Sequence, residues 1–140
     1  TLCLVGPRNS FSEKIRSQVF KEGLQRSVLF LHNIPAGELK WLYTHAKAFI
    51  FPSKTEGFGL PIVEAALCGC PLVLSDIPVF HEVINDQAQY FDLYDTEKLR
   101  KLMHLALHET ERRQYILNQQ YSFRTMTETI LSVYNGALKK

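Results

Sequence analysis

Short runs of apolar residues alternate along the chain with stretches in which apolar positions recur every three or four residues. An uninterrupted apolar run is typical of a strand covered on both faces of a parallel sheet, and the three-to-four spacing is typical of an amphipathic helix. The apolar runs predict strands at 2–6, 28–32, 48–51, 71–75 and 88–91. The stretches between and after them predict helices from Ser10 to about Gly23 and over 37–46, 61–68, 96–109, 110–120 and 122–138.

Local signals support several of these helix boundaries. Ser10 and Glu13 have the spacing of a capping box, in which each side chain accepts the other residue's backbone amide at the helix start. Pro61 suits the first position of a helix, and Gly69 stands just past the predicted end of that helix.

Strands that alternate with helices through short connections predict parallel pairing by right-handed crossovers. The predicted fold class is therefore α/β, a doubly wound, Rossmann-like parallel sheet followed by C-terminal helices. A length of 140 residues suits one domain. Such sheets bind ligands outside the carboxyl ends of their strands, and the segment 53–60 follows the third predicted strand at such an end.

The segment 52–65, PSKTEGFGLPIVEA, places two glutamates on either side of a glycine-rich turn. Gly57 and Gly59 lack a Cβ, so a ligand can approach the backbone and φ can be positive. The helix that follows leaves its first amides unpaired, which favours an anion such as a diphosphate. Glu64, in the first helical turn, can accept two hydrogen bonds from a ribose diol, and Glu56 can reach a hydroxylated group beyond the phosphates.

Sugar, diphosphate and ribose in that order describe a nucleotide sugar. The alternative on spacing alone is a plain loop-to-helix turn, in which Glu64 complements the helix dipole and Glu56 is solvated. Glycine-rich turns are common enough in α/β proteins to keep that alternative open.

Composition and charge argue against several other partners. A net charge of +2 without a lysine- or arginine-rich run does not favour nucleic acid or an anionic membrane as the main partner. Cys3, Cys68 and Cys70 lie in apolar sequence, which is typical of buried thiols in the reducing cytoplasm. Neither the Cys68–Cys70 pair nor His104 with His108 has the further ligands of a zinc site, so an exposed histidine pair is the simpler interpretation.

The stretch FPSKTEGFGLPIVEAALCGCPLVLSD (51–76) resembles the signature of the retaining glycosyltransferases of family 4. Their usual form is P-S-x-x-E-G-F-G-L-P-x-x-E-A, followed by a small-residue helix, glycine and Pro-Val-Val. LCLVG, VLFLHNIPAGELKWLYTHAKAFIFPS and HEVINDQAQYFD resemble the family's successive strands and connections in the same order. The resemblance covers essentially the whole chain.

The resemblance implies a GT-B fold, with residues 1–140 as its C-terminal, nucleotide-sugar-binding domain. Glu56 would contact hydroxyls of the transferred sugar and is the candidate catalytic residue, and Glu64 would hold the ribose. The turn at His32, Asn33 and Ile34 would receive the base. By matching position, the donor-binding residues are Glu56, Gly57, Phe58, Gly59, Leu60, Glu64, Asn33 and Ile34.

The implied reaction is transfer of a hexosyl group from a nucleotide-diphosphate sugar to a glycan or lipid-linked acceptor, with retention of configuration. The leaving diphosphate guides the acceptor in on the same face, so Glu56 acts through charge and position. No cofactor or metal is expected, and the sequence has no Asp-x-Asp. The implied setting is lipopolysaccharide or capsule assembly in the cytoplasm, with peripheral contact at the inner face of the cell membrane left open.

The chain departs from the family pattern in two places. The family's domain begins with a further strand and a G-R…K loop that neutralises the diphosphate, whereas VGPRNS (5–10) matches the next strand, and Arg8 and Lys14 do not match that loop. With the acceptor-binding domain also missing, we expect the chain to be part of a longer protein, inactive alone and weak in donor binding. The smaller departure is His81, which stands where the family often has proline before Glu82.

The missing strand leads to an expectation about the sheet. In the order 3-2-1-4-5-6 the first strand lies between the second and the fourth. If 2–6 is the second strand, then 2–6 and 48–51 flank a position that this chain does not fill. Leu4 and Phe49 are therefore expected on strands that are not hydrogen-bonded neighbours, unless the sheet closes.

Other functions share this fold. A GT-B-shaped sugar epimerase would lack the E-G-F-G-L-P-x-x-E string, and a phosphorylase would need a lysine for pyridoxal phosphate. A non-catalytic nucleotide-sugar-binding module stays open as an alternative.

Overall fold

The computed structural model describes residues 1–108, 111–117 and 123–138. The chain forms two compact units, Thr1–Trp41 and Leu42–Lys140. Every strand pair is parallel and helices separate successive strands, which confirms the α/β fold class. Along the described ranges no helix is both long enough and apolar enough to cross a bilayer.

The first unit contains two strands and the helix that connects them. Its elements are β1 (Leu2–Val5), α1 (Ser10–Lys21), β2 (Val28–Leu31) and most of α2 (Ala36–His45). Gly23, just past the end of α1, has a φ of 68°, a left-handed conformation that glycine adopts readily. No residue of this fully described unit is buried, so the apolar core lies elsewhere in the chain.

The capping box of α1 involves residues one position earlier than predicted. Asn9 is the N-cap, and its side chain accepts the amide of Ser12 at 2.9 Å while the Ser12 hydroxyl accepts the amide of Asn9 at 2.9 Å. The prediction of Ser10 and Glu13 was wrong because Asn9, directly before them, is itself a strong N-cap residue. The Glu13 carboxylate instead pairs with Arg8 at 2.8 Å.

The second unit contains a three-stranded sheet with helices between and after its strands. Its elements after α2 are β3 (Phe49–Phe51), α3 (Leu60–Leu67), β4 (Leu72–Ser75), α4 (Pro78–Ile84), a 3-10 turn (Asn85–Gln87), β5 (Gln89–Phe91), α5 (Thr96–His108) and α6 (Phe123–Leu138). Helix α4 was not predicted. Pro78 at its start and apolar residues at 80, 83 and 84 are the signals that could have revealed it.

The strands form two sheets, β1-β2 and β3-β4-β5. If β1 to β5 are counted as strands 2 to 6 of the order 3-2-1-4-5-6, the observed pairs are the neighbours in that order: 3 with 2, 4 with 5, and 5 with 6. Leu4 is paired with Phe30, and Phe49 is paired with Leu72. Leu4 and Phe49 thus lie on strands that are not hydrogen-bonded neighbours, as predicted.

The core is centred on β4, the middle strand of the second sheet, all four residues of which are buried. Both faces of a middle strand in a parallel sheet are covered by helices, which explains the three consecutive aliphatic residues of β4, Leu72, Val73 and Leu74. The largest fully buried side chains come from α3, β4, α4 and β5: Ile62, Leu72, Val73, Leu74, Phe80, Val83, Ile84 and Phe91.

Residues 111–117 form no helix, although one was predicted over 110–120; residues 109–110 and 118–120 lie outside the described ranges. The polar groups of this segment bond to the core of the second unit. The Arg113 amide donates to the Gly69 carbonyl at 3.0 Å, and the Tyr115 hydroxyl donates to the Cys70 carbonyl at 3.0 Å while accepting the Leu72 amide at 3.1 Å. These long-range bonds replace the local bonds of a helix.

Tyr115→Phe is expected to lower the free energy of unfolding by about 1–3 kcal/mol, because the amide of fully buried Leu72 loses its partner. Urea denaturation of the variant measures the loss. Tyr94→Phe is a matched control, since Tyr94 is 84% exposed and should change stability by less than about 0.5 kcal/mol. Equal stability of the two variants would contradict the anchoring role of Tyr115.

Candidate functional site

Residues 52–59 connect β3 to α3 and lie at the carboxyl end of β3. The loop ends at Gly59, the N-cap of α3, which has a φ of 88°. A Cβ on Gly59 would lie 3.0 Å from Ile62 Cδ1 and 3.3 Å from Phe80 Cε1, so both conformation and space require glycine there. Gly57 differs, because its φ is not in the left-handed region and an added Cβ would meet no atom within 4 Å. The contacts and backbone conformation of the loop therefore do not require glycine at position 57.

Glu56 is half-buried and is held by its own loop. The Ser53 hydroxyl donates to Glu56 Oε1 at 2.8 Å. Ser53 is fixed in turn by Ser75 at the end of β4, whose hydroxyl donates to the Ser53 carbonyl at 2.6 Å. The carboxylate is thus connected through two serines to the middle strand of the sheet.

Glu64 is exposed, and it lies one residue further from the start of α3 than the sequence predicted. The helix begins at Leu60, so Pro61 is its second residue and Glu64 its fifth, beyond the first turn. A rise of about 1.5 Å per residue places Glu64 about 6 Å along the helix axis from Leu60. Direct complementation of the helix N-terminus by Glu64 is therefore weaker than the sequence suggested.

The side chain of Tyr43 contacts Glu64. The Tyr43 hydroxyl donates to Glu64 Oε2 at 3.4 Å, and only 7% of Tyr43 is exposed. Burial and, secondarily, the charge of Glu64 raise the pKa of Tyr43 above its ordinary value, so the hydroxyl stays a neutral donor. Tyr43 therefore orients one oxygen of Glu64.

Asn33 and Ile34 lie in the first unit, whereas the six other predicted donor-binding residues lie in the second. Asn33 is exposed with a φ of 52°, which makes the chain turn sharply after β2. Beside it, His32 Nδ1 lies 2.8 Å from the Gly6 carbonyl and donates to it. The assignment of this turn to the base stays a prediction.

A second polar cluster follows the carboxyl end of β4 and was not predicted. The ring of His81 places Nε2 at 2.8 Å from Asp76 Oδ1 and Nδ1 at 3.7 Å from Asp86 Oδ1, and it stacks on Tyr90 with 4.0 Å between ring centroids. Burial and then the two aspartates raise the pKa of Tyr90 to about 12. Proline at position 81 would remove this whole set of contacts. Glu82, the next residue, is exposed.

Within the described part of the chain no three His, Cys, Asp or Glu side chains are grouped as metal ligands. His104 and His108 are an exposed pair, as predicted.

Burial raises the pKa of the Cys70 thiol to about 11, so this cysteine stays protonated and unreactive at neutral pH. Cys68 is half-buried and Cys3 is exposed, so the prediction of buried thiols is confirmed only for Cys70.

Residues 1–123 match the family described as "Glycosyl transferases group 1". The chain is 42% identical over 89 residues to the O-antigen chain mannosyltransferase RfbU of Salmonella typhimurium, covering 64% of this chain and 25% of that protein. It is 38% identical over 103 residues to the serotype-specific mannosyltransferase WbdA of Escherichia coli, covering 72% of this chain and 12% of that protein.

Among solved structures, sucrose-phosphate synthase from Thermosynechococcus elongatus matches with a TM-score of 0.69 and 24% identity, over 77% of this chain and 29% of that chain. This likeness concerns the fold. The chain spans a quarter or less of the length of the two mannosyltransferases that it matches.

Proposed function

Because the chain belongs to the group 1 glycosyl transferases, with the α/β fold of the C-terminal domain of GT-B enzymes, we propose that it supplies the donor-binding half of a retaining hexosyltransferase. The donor is a nucleotide-diphosphate sugar, and the acceptor is a glycan or a lipid-linked sugar. Catalysis requires no metal and no further cofactor.

The observation that carries this proposal is the loop between β3 and α3. Glu56 is fixed there by the Ser53 hydroxyl at 2.8 Å, and left-handed Gly59 directs the chain into α3, whose N-terminus follows the loop. A held carboxylate beside the positive end of a helix dipole suits a sugar hydroxyl next to a diphosphate. Glu64, on the same helix, is exposed and available to a ribose diol.

We propose mannose as the transferred sugar, since RfbU and WbdA are both described as mannosyltransferases. The description of RfbU as an O-antigen chain enzyme supports a growing lipopolysaccharide glycan as the acceptor. Such a reaction takes place in the cytoplasm, at the inner face of the cell membrane if the acceptor is attached to a lipid.

The configuration at the sugar C1 is retained when the acceptor attacks the same face of the sugar from which the diphosphate leaves. The bond between the sugar C1 and the diphosphate oxygen breaks, and the acceptor oxygen forms the new bond to C1 from the same side. The departing diphosphate takes the proton of the acceptor hydroxyl. Glu56 stabilises the positive charge that develops on the sugar and holds its hydroxyls, without a covalent bond to C1.

The chain alone should be inactive, since the diphosphate would be met mainly by backbone amides. Arg8 does not provide a ready substitute for the family's cations, because its guanidinium donates to Glu13 at 2.8 Å and lowers the pKa of that carboxylate. The loss of one charge-assisted contact typically costs ~1.5–3 kcal/mol, or about tenfold to a hundredfold in affinity.

The test measures transfer by the intact protein that contains this chain. GDP-mannose, UDP-mannose, GDP-glucose and UDP-glucose are supplied with a lipid-linked oligosaccharide acceptor, and proton NMR reports the anomeric configuration of the product. We expect mannosyl transfer with retention, unchanged by EDTA, and no transfer by the isolated chain. An inverted product would overturn the mechanism, a free epimerised sugar would identify an epimerase, and binding without transfer would identify a binding module.

A further inference from the structure

Among the described residues, Ser75 is the one aliphatic hydroxyl side chain that is buried, with 0% of its surface exposed. It is the last residue of β4 and follows the three buried aliphatic residues Leu72, Val73 and Leu74. A hydroxyl in such surroundings costs free energy unless it is hydrogen-bonded. Its partner is the Ser53 carbonyl at 2.6 Å, with the Phe51 carbonyl at 3.4 Å.

The contact fixes the point at which the chain leaves β3. Phe51 is the last residue of that strand, and Ser53 is the second residue of the loop that follows. Ser75 is itself held in place because it is paired with Phe91 of β5, and the next amide, that of Asp76, donates to the Phe91 carbonyl at 2.8 Å. The position of the Ser53 backbone is therefore set by the middle of the sheet.

The side chain of Ser53 in turn holds the carboxylate of Glu56 in position. Its hydroxyl lies 2.8 Å from Glu56 Oε1 and 3.2 Å from the Thr55 carbonyl, and the shorter distance to a charged acceptor favours the carboxylate. One carboxylate oxygen is thereby engaged, which fixes the direction of the other oxygen.

We propose that Ser75 and Ser53 are positioning residues that aim the Glu56 carboxylate at a hydroxyl of the donor sugar. The inference rests on the proposed function and adds to it Ser75, a residue outside the loop motif that contributes to sugar recognition through Ser53. Ser75 acts through Ser53, and neither residue has to touch the diphosphate or the base. Loss of either hydroxyl should therefore weaken binding of the sugar part of the donor and leave binding of the nucleoside diphosphate unchanged.

The experiment compares two ligands by calorimetry on the intact protein: GDP-mannose and GDP, or the corresponding uridine pair if the wild-type protein prefers it. The variants are Ser75→Ala and Ser53→Ala. Ser17→Ala is the matched control, since Ser17 is an exposed serine whose hydroxyl donates to the Glu13 carbonyl within its own helix. We expect each of the first two variants to lose on the order of tenfold in nucleotide-sugar affinity and less than about twofold in GDP affinity. The control should change neither.

A double-mutant cycle separates positioning from general damage. In a Glu56→Ala background, Ser53→Ala should cause almost no further loss, because the serine acts through the missing carboxylate. Parallel losses for both ligands, or additive losses in the cycle, would overturn the inference. Ser53 is a half-buried loop residue, so the Ser53→Ala variant still tests the inference if Ser75→Ala does not fold. A wild-type protein that binds no nucleotide sugar would instead overturn the proposed function itself.

Discussion

Glu56→Gln is expected to slow sugar transfer by the intact protein about a hundredfold, with a much smaller effect on KM. The substitution keeps the shape of the side chain and an oxygen that can accept the Ser53 hydroxyl, but it removes the negative charge. Positive charge develops on the sugar mainly in the transition state, so the charge contributes more to kcat than to donor binding. Removing one such electrostatic group typically costs about 10²–10³ in kcat.

Steady-state kinetics with the preferred nucleotide sugar give the two constants, and urea denaturation checks that the variant is folded. Glu97→Gln is the matched control, because Glu97 is an exposed glutamate of α5 in a surface ion pair with Arg100 at 3.0 Å. It should change kcat by less than about twofold, as expected for a surface pair. If Glu56→Gln kept wild-type kcat, Glu56 would not be the residue that stabilises the transition state.

The fold could be predicted wherever local sequence determines the structure. The apolar runs of β1 to β5 and the spacing of α1, α2, α3 and α5 were sufficient, because a buried strand and an amphipathic helix have different periods. Helix α4 was missed because it is only seven residues long and lies inside a stretch that resembled a connection. The helix predicted over 110–120 was wrong in the described part because its polar groups bond to residues more than forty positions away, such as Gly69 and Leu72.

The candidate site was predictable to the extent that it is one continuous motif. The loop, its glycines and both glutamates lie within 52–64, so their proximity follows from chain connection alone. The groups that hold the two carboxylates were not predictable. Tyr43 and Ser75 come from other elements, and only the packed fold brings their hydroxyls to Glu64 and to the Ser53 carbonyl. A serine that ends an aliphatic strand is the one local signal that could have pointed to this arrangement.

Gly59→Ala is expected to destabilise the protein by about 2–4 kcal/mol. An alanine at a φ of 88° would occupy the left-handed region at a cost of roughly 1–2 kcal/mol. Its Cβ would also lie 3.0 Å from Ile62 and 3.3 Å from Phe80, and both side chains are fully buried. Overpacking of this kind typically costs about 1–3 kcal/mol, because neighbours in a close-packed core cannot easily move away. Urea denaturation measures the difference in the free energy of unfolding.

Gly57→Ala provides the comparison that separates folding from binding within one loop. Its added methyl group meets no protein atom within 4 Å, and the backbone there is not left-handed, so stability should change by less than about 0.5 kcal/mol. Under the proposed function the same methyl group stands where the donor approaches the backbone, so donor binding should weaken about tenfold or more. The two glycines should thus show opposite phenotypes, Gly59 in stability and Gly57 in affinity. Two variants that both lost stability and bound donor normally would show that the loop serves the fold alone.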